Sequence, residues 1–275
     1  MRLLPDGPAR GRIVSVASLC VISALSVSCS AASRVASTST SPATSTSPAA
    51  PSPAAPSPAA RADGAFTVAG ARPVVPNGSQ DTHTATPEAA CDSTTFAADE
   101  AVGNEVADGF SAARFPAAAS LLRHFLAGAG TEIDYRAGSP ISREARASSE
   151  FQAVNAEVQA AVALQLKAGD TRVELSAAQL PTVLFGSTGS DLYWGFRGTQ
   201  GLSVTGKGSR DGGRYVGTLT YVIRDSYGFP ADDTLAGFGP PMRYLQTVCG
   251  APQHAGGARW FPDTITVTLP FDRVA

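Results

Sequence analysis

Residues 191 to 229 read DLYWGFRGTQGLSVTGKGSRDGGRYVGTLTYVIRDSYGF, and this stretch decides the expected fold. Side chains of a β-strand point to alternate faces, so a strand with one buried face alternates apolar and polar residues. Such alternation runs through 191–197, 202–207 and 214–225. The link Asp211-Gly212-Gly213 favours a tight hairpin, because these residues tolerate positive φ angles. We therefore predict three antiparallel strands, with an apolar face covered by helices and a face bearing Thr and Arg nearer to water.

Two segments have the apolar spacing of amphipathic helices. The first covers 115–126 and has Pro116 in its first turn, where a missing N–H does no harm. The second covers 149–167, with Ser148 or Ser149 as its N-cap and Gly169 beyond its end. An amphipathic helix can also dock on a membrane or a partner. The narrow stripe of core-sized residues in the second helix favours packing on the sheet.

Three shorter elements complete the expected domain. Alternation predicts an entry strand at 171–176 and a last strand at 264–271, and a short helix is expected at 242–248. The fold class is therefore α+β, an antiparallel sheet packed by two or three helices.

The N-terminus has the features of an export signal. Arg2, Arg10 and Arg12 precede an apolar run at 13–27. A run of this length suits the hydrophobic region of a signal peptide and is too short to span a bilayer.

The residues Leu25-Ser26-Val27-Ser28-Cys29 end this segment. They resemble the cleavage box of bacterial lipoprotein signals, with Ser26 standing where that family prefers an aliphatic residue. The resemblance implies cleavage before Cys29 and lipidation of its thiol, which would anchor the protein to a membrane. Simple secretion with cleavage nearby and a buried helix are the alternatives.

Residues 30–90 separate this signal from the expected domain. The first half is rich in Ser, Thr, Pro and Ala, with PSPAA occurring at Pro51 and again at Pro56. Such composition lacks the apolar residues that would offset the entropy of ordering, and predicts a disordered tether. Ala65 to Val68 has the alternation of a short strand, but nearby prolines favour a continuing linker. The expected organisation is a signal peptide at 1–29, a tether at 30–90 and one domain at 91–275.

Cys91 and Cys249 are the two thiols that remain after the signal is removed and Cys29 is lipidated. Two cysteines in an exported protein favour a disulfide. The alternative is a pair of unpaired buried cysteines.

The net charge of the chain does not favour binding to polyanions. Lys and Arg number 21 and Asp and Glu 23, a formal net charge of -2. This balance predicts no binding of nucleic acid and no basic patch for an anionic membrane. The run GLSVTGKG at 201–208 has phosphate-loop spacing, but Gly208 replaces the Ser or Thr that would hold magnesium, and the run alternates like a strand. We therefore expect no nucleotide and no cofactor.

Metal and catalytic signals are sparse. The pair Asp232 and Asp233 lacks a ligand series for calcium, and no spacing predicts a closed metal site. GFRGTQ at 195–200 resembles the strand end before the oxyanion hole of some lipases, but no Gly-x-Ser-x-Gly elbow follows, so we expect Arg197 at a strand end facing water. His254, in a Gly-rich loop, is the one histidine to test as an acid or base. The catalytic set is left unassigned.

The run RDSYGF at 224–229 follows the longest predicted strand. Together with GTLTY, RHFLAG and MRYL elsewhere in the chain, it resembles the β-rich C-terminal domains of some secreted actinobacterial and polymorphic-toxin-like proteins. In those domains an Asp-x-Tyr-x-aromatic element follows a strand. The resemblance implies roles for Asp225, Tyr227 and Phe229. The alternative is structural: an aspartate that accepts turn N–H groups and a tyrosine that clamps a strand end.

The tentative ligand site therefore comprises Arg197, Arg224, Asp225, Tyr227 and His254. We expect an extracytoplasmic lipoprotein, lipid-anchored or secreted, whose domain presents a binding or scaffolding surface to an envelope partner. The alternative is a secreted hydrolase or toxin-like enzyme acting on an envelope substrate. The two differ in one observable, because catalytic groups should converge on one cleft with shifted pKa values.

Overall fold

The structure, a computed structural model, describes residues 64–74, 90–229, 237–250 and 257–274. The predicted signal peptide with Cys29 and the tether up to residue 63 lie outside the described residues. The same is true of Asp232, Asp233 and His254.

The described residues form an α+β fold. The helices are α1 (Ser93–Ala112), α2 (Pro116–Leu126), α3 (Pro140–Ala147), α4 (Ser149–Ala168), α5 (Asp191–Phe196) and α6 (Gly239–Tyr244), with a 3-10 turn at Ala177–Gln179 and a π-helical turn at Leu245–Cys249. The strands are β1 (Ala65–Arg72), β2 (Ile133–Tyr135), β3 (Arg172–Leu175), β4 (Gly201–Asp211), β5 (Arg214–Tyr227) and β6 (Phe261–Val274).

The sheet is mixed and has the order β2-β6-β5-β4-β1-β3. Its centre is antiparallel, because β1 pairs with β4, β4 with β5 and β5 with β6 in opposite directions. The short edge strands are parallel to their neighbours, β3 to β1 and β2 to β6. The prediction of a purely antiparallel sheet is therefore wrong. Alternation shows which residues share a face and carries no information about strand direction.

The predicted hairpin between β4 and β5 is confirmed. Asp211 faces Arg214 in register, and the two residues between them, Gly212 and Gly213, have φ angles of 52° and 84°. Two successive positive φ angles are those of a two-residue turn whose twist matches the strands. This turn fixes the register of β5 and so the face on which each of its side chains lies.

One face of the sheet carries the core. The odd-numbered residues of β5 and β6, such as Tyr221 and Val267, are buried against the helices. The opposite face carries the even-numbered residues of β5 and β6 and the odd-numbered residues of β4, because Thr205 pairs with Thr220. It is the more polar face, and Thr205, Thr218 and Thr268 on it are exposed. The predicted division into an apolar covered face and a Thr-bearing face nearer to water is confirmed.

Residues 191–197, predicted as a strand, form helix α5 instead. Leu192 and Phe196 are both buried. Residues four positions apart lie on the same face of a helix and also on the same face of a strand, so this pair fits either element. The Ser190 hydroxyl accepts a hydrogen bond from the Tyr193 N–H at 3.1 Å, which starts the helix. A stretch of seven residues is too short to distinguish the 3.6-residue period of a helix from the two-residue period of a strand.

The sheet also begins earlier than predicted. Strand β1 lies within the segment assigned to the tether, and its residues Phe66 and Val68 are buried between β3 and β4. The chain also has more than the two or three expected helices. Helix α1 was not recognised because its buried positions include the small residues Gly103 and Ala107, which give a weak apolar stripe.

The predictions for α2, α4 and the disulfide are confirmed. Pro116 occupies the first turn of α2, and α4 runs from the N-cap Ser148 to Gly169 at φ 105°. Cys91 and Cys249 form a disulfide with an S–S distance of 2.02 Å. The bridge joins the residue before α1 to the end of the π-helical turn.

Candidate ligand-binding cavity

A cavity of about 360 Å³ lies where α1, α5 and the end of β5 meet. Phe110 of α1 and Trp194 of α5 line it, with Phe229 just after β5 and Phe238 just before α6. Ligand-binding cavities in proteins range from about 300 to 1,000 Å³. The cavity therefore has room for a small organic molecule.

The aromatic rings of the wall touch one another in series. The ring centroids of Phe110 and Trp194 are 5.4 Å apart, those of Phe110 and Phe238 are 6.3 Å apart, and those of Phe229 and Phe238 are 5.9 Å apart. The Trp194 indole N–H donates to the Thr188 carbonyl at 2.9 Å, which holds its ring in place. The wall is continuous, apolar and fixed by these contacts.

Three of the five predicted ligand residues line this one cavity: Arg197, Asp225 and Tyr227. Arg224 does not line it. Its guanidinium donates instead to the Ser203 hydroxyl at 2.8 Å on the polar face. The structure therefore does not bring Arg224 to the cavity, and His254 lies outside the described residues.

Arg197 is the cationic group at the cavity. The residue is exposed, and its guanidinium carbon lies 5.0 Å from the centroid of the Tyr193 ring. A guanidinium over an aromatic face is held by the ring quadrupole. Arg197 forms no salt bridge with the described acidic residues. Its charge can therefore pair with an anionic group of a ligand.

Asp225 is the acidic group of the cavity and is largely buried, with 8% of its surface exposed. One carboxyl oxygen accepts a hydrogen bond from the Ser226 N–H at 2.9 Å. Burial raises the pKa of Asp225 well above its usual range, and the Ser226 hydrogen bond opposes that rise. This hydrogen bond within β5 therefore occupies one oxygen, and the carboxyl can still accept a hydrogen bond from a ligand.

Asp263, which sequence reasoning missed, lies directly opposite Asp225 in the register of β5 and β6. Its side chain is fully buried, and neither oxygen makes a hydrogen bond of normal geometry. Burial raises the pKa of Asp263 well above its usual range, and the negative charges of Asp225 and Glu132 raise it further. Only its own backbone amide opposes the rise. The sequence does not identify Asp263 as a site residue, because a Pro-Asp pair before a strand is typical of a turn.

Two more groups with a raised pKa, Glu144 and Tyr135, interact with Asp191. Burial and then the negative charge of Asp191 raise the pKa of Glu144, whose carboxylate accepts a hydrogen bond from the Asp191 N–H at 3.0 Å. Burial and then the charges of Asp263 and Asp191 raise the pKa of Tyr135. None of these groups takes part in a salt bridge with the described cations. The described part of the chain therefore contains several partly or fully buried acid groups without a salt bridge to a described cation.

Within the described ranges, no cluster of three or more His, Cys, Asp or Glu side chains is arranged to hold a metal ion. In the same part of the chain, no helix has both the length and the apolar character required to cross a membrane. Comparisons with family models, curated proteins and solved structures found no match to this chain. The properties of the cavity itself must therefore support any functional assignment.

Proposed function

We propose that this chain is a cell-envelope lipoprotein, anchored through Cys29, whose folded domain binds a small ligand in the aromatic cavity. The observation that supports the proposal most strongly is the cavity itself, which has a volume of about 360 Å³ and is lined by the rings of Phe110, Trp194 and Phe238. The disulfide supports an oxidising compartment outside the cytoplasm. The tether, expected from composition, would hold the domain away from the membrane.

The chemistry of the cavity defines the class of ligand. Fixed aromatic rings such as Trp194 and Phe110 favour an apolar body of modest size. Asp225 favours a hydrogen-bond donor or a cationic group, and Arg197 favours an anionic one. We expect an organic molecule that combines an apolar body with polar groups.

A pair of glycine variants tests whether this cavity is the binding site. A Cβ atom added at Gly198, which lines the cavity, would meet no atom within 4 Å. The same is true of Gly189, which lies in the loop before α5 and does not line the cavity. Gly198→Phe should therefore obstruct the cavity without disturbing the fold, and Gly189→Phe provides the matched control.

The assay is native mass spectrometry of the domain after incubation with the low-mass fraction of an envelope extract. We expect a bound small molecule on the wild-type domain and on Gly189→Phe, and its loss from Gly198→Phe. The same adduct on all three proteins, or none on the wild type, would contradict binding in this cavity.

The anchor is tested separately. Cys29→Ser removes the thiol that lipidation requires, so we expect the variant to move from the membrane fraction to the soluble extracellular fraction. The intact mass of the wild-type membrane form should include the lipid on a chain that begins at Cys29. An unmodified N-terminus in the membrane fraction would refute lipidation.

Hydrolysis of an envelope substrate is a second candidate function, favoured by the two buried carboxyls of Asp225 and Asp263. Acids whose pKa is raised by burial are suited to protonate a leaving group near neutral pH. Tyr227 lines the same cavity, whereas Arg224 lies on the other face and takes no part. Turnover of a cell-wall or lipid-linked substrate that is abolished in Asp225→Asn would favour this candidate over simple binding.

A further inference from the structure

Asp225 at the cavity, with Asp263 opposite it on the neighbouring strand, narrows the class of ligand. A narrower ligand class rests on the proposed function, because it requires that the cavity binds a small molecule. Asp225 and Asp263 face each other on neighbouring strands, on the face that packs against the helices. Paired side chains at directly opposed positions have Cβ atoms about 4.5 to 5.5 Å apart.

We infer that the cavity binds an organic ammonium group, with its nitrogen against Asp225 and its apolar body among the rings of Trp194, Phe110 and Phe238. The aromatic rings and Asp225 both favour a cation, because aromatic faces attract positive charge and a carboxylate pairs with it directly. The buried carboxyls have no salt bridge to a described Lys, Arg or His. A ligand ammonium would supply the missing positive charge.

The two carboxyls have different roles in this arrangement. Asp263 is fully buried and does not line the cavity, whereas Asp225 lines it and retains some exposure. Two adjacent buried carboxyls do not readily ionise together, so the more enclosed one keeps its proton. Asp225 is therefore the binding carboxylate, and Asp263 is a positioning residue that stays neutral beside it.

Arg197 does not remove the preference for an ammonium group. Its guanidinium is exposed and lies over the Tyr193 ring, and it makes no ion pair with Asp225. Because this guanidinium can pair with an anion, we expect a ligand that carries a carboxylate opposite its ammonium group to bind more tightly than the same ligand without the carboxylate.

The test uses three probes of similar shape: benzyl alcohol, benzylammonium and 4-(aminomethyl)benzoate. Their affinities for the wild-type protein are measured by isothermal titration calorimetry at pH 7. We expect benzylammonium to bind about tenfold more tightly than benzyl alcohol, the scale of one charge-assisted hydrogen bond. The added carboxylate should increase the affinity again, and Arg197→Gln should remove only that increase.

Asp225→Asn is the decisive variant, and two others accompany it. Asp225→Asn should bring the affinity for benzylammonium down to that for benzyl alcohol. Asp263→Asn, whose amide resembles a protonated carboxyl, should lose much less of the preference. Glu157→Gln removes one negative charge from an exposed position of α4 and controls for net charge. Thermal unfolding of each variant verifies that it is folded.

The pH profile gives a readout that a merely structural role of Asp225 would not change. The described ionisable groups that line the cavity with Asp225 are Tyr193, Arg197 and Tyr227, and Asp263 opposes it on β6. Asp263 in turn interacts with Tyr135 of β2 and with Glu132, which precedes that strand. The affinity for benzylammonium should fall as pH drops below the raised pKa of Asp225, while that for benzyl alcohol stays constant.

Equal binding of benzylammonium and benzyl alcohol would overturn the inference while leaving the cavity as a binding site. A preference that survives Asp225→Asn, or that Asp263→Asn abolishes as fully, would also overturn it. Failure of all three probes to bind would reject the ammonium site, and the adduct lost in Gly198→Phe would still decide the proposed function independently.

Discussion

Reducing the Cys91–Cys249 disulfide should lower the free energy of unfolding by several kcal/mol. The bridge joins residues 158 positions apart in the chain. In the chain-entropy model, closing a loop of this length restricts the unfolded chain by about 5 kcal/mol, and native disulfides are worth about 2 to 5 kcal/mol in small secreted domains. We therefore expect a loss of about 3 to 5 kcal/mol on reduction.

The folded state should change little on reduction, which makes the unfolded chain the main source of the effect. The Asp92 N–H donates to the Tyr244 hydroxyl at 3.0 Å, and the Asp92 carboxylate accepts from the Thr95 N–H at 2.7 Å. These contacts hold the start of α1 beside α6 without the covalent link. Cys249 itself is fully buried and keeps its packing as a thiol.

The assay is urea unfolding followed by far-UV circular dichroism, with and without a thiol reductant. The slope of the transition should also increase on reduction, because an open chain exposes more surface than a looped one. A double Cys→Ala variant that resembles the reduced protein would show that the reductant acts only at this bridge. A loss below about 1 kcal/mol with an unchanged slope would refute the entropic account.

Three further predictions concern single residues. A Cβ atom at Gly208 would lie 2.5 Å from the Phe66 ring, so Gly208→Ala should destabilise the domain by about 1 to 3 kcal/mol in urea unfolding. The folded state raises the pKa of Asp263. The contribution of this side chain to the free energy of unfolding is therefore fully present below the ordinary pKa of Asp and is lost as the pH rises through the raised pKa. Asp263→Asn should therefore lose less stability than the wild type between pH 5 and pH 8, measured by thermal unfolding. Ser148 caps α4 by accepting from the Phe151 N–H, and Ser148→Ala should cost about 1 kcal/mol.

The sequence was most informative where two signals agreed. The β4–β5 hairpin combined alternation with Gly212-Gly213, and α4 combined apolar spacing with caps at both ends. It was least informative where a segment was short. Residues 191–197 fit two periods, and β1 was too short and too close to prolines to separate from the tether.

The site was predicted in part, for a physical reason. Asp225 and Tyr227 are two residues apart in one strand, so the sequence places them on one face, and both line the cavity. The opposition of Asp225 and Asp263 depends on the register of two strands 14 residues long, joined through a long connection. No local pattern encodes that pairing. The aromatic wall also draws on α1, which the sequence did not reveal.

The central claim, that Asp225 is a buried carboxyl which a ligand can reach, is tested most directly by carbon-13 NMR of labelled aspartates. The Asp225 resonance, assigned with Asp225→Asn, should titrate above the usual value of about 3.9 and shift when benzylammonium is added. A resonance that titrates in the ordinary range and does not respond to the amine would contradict the claim.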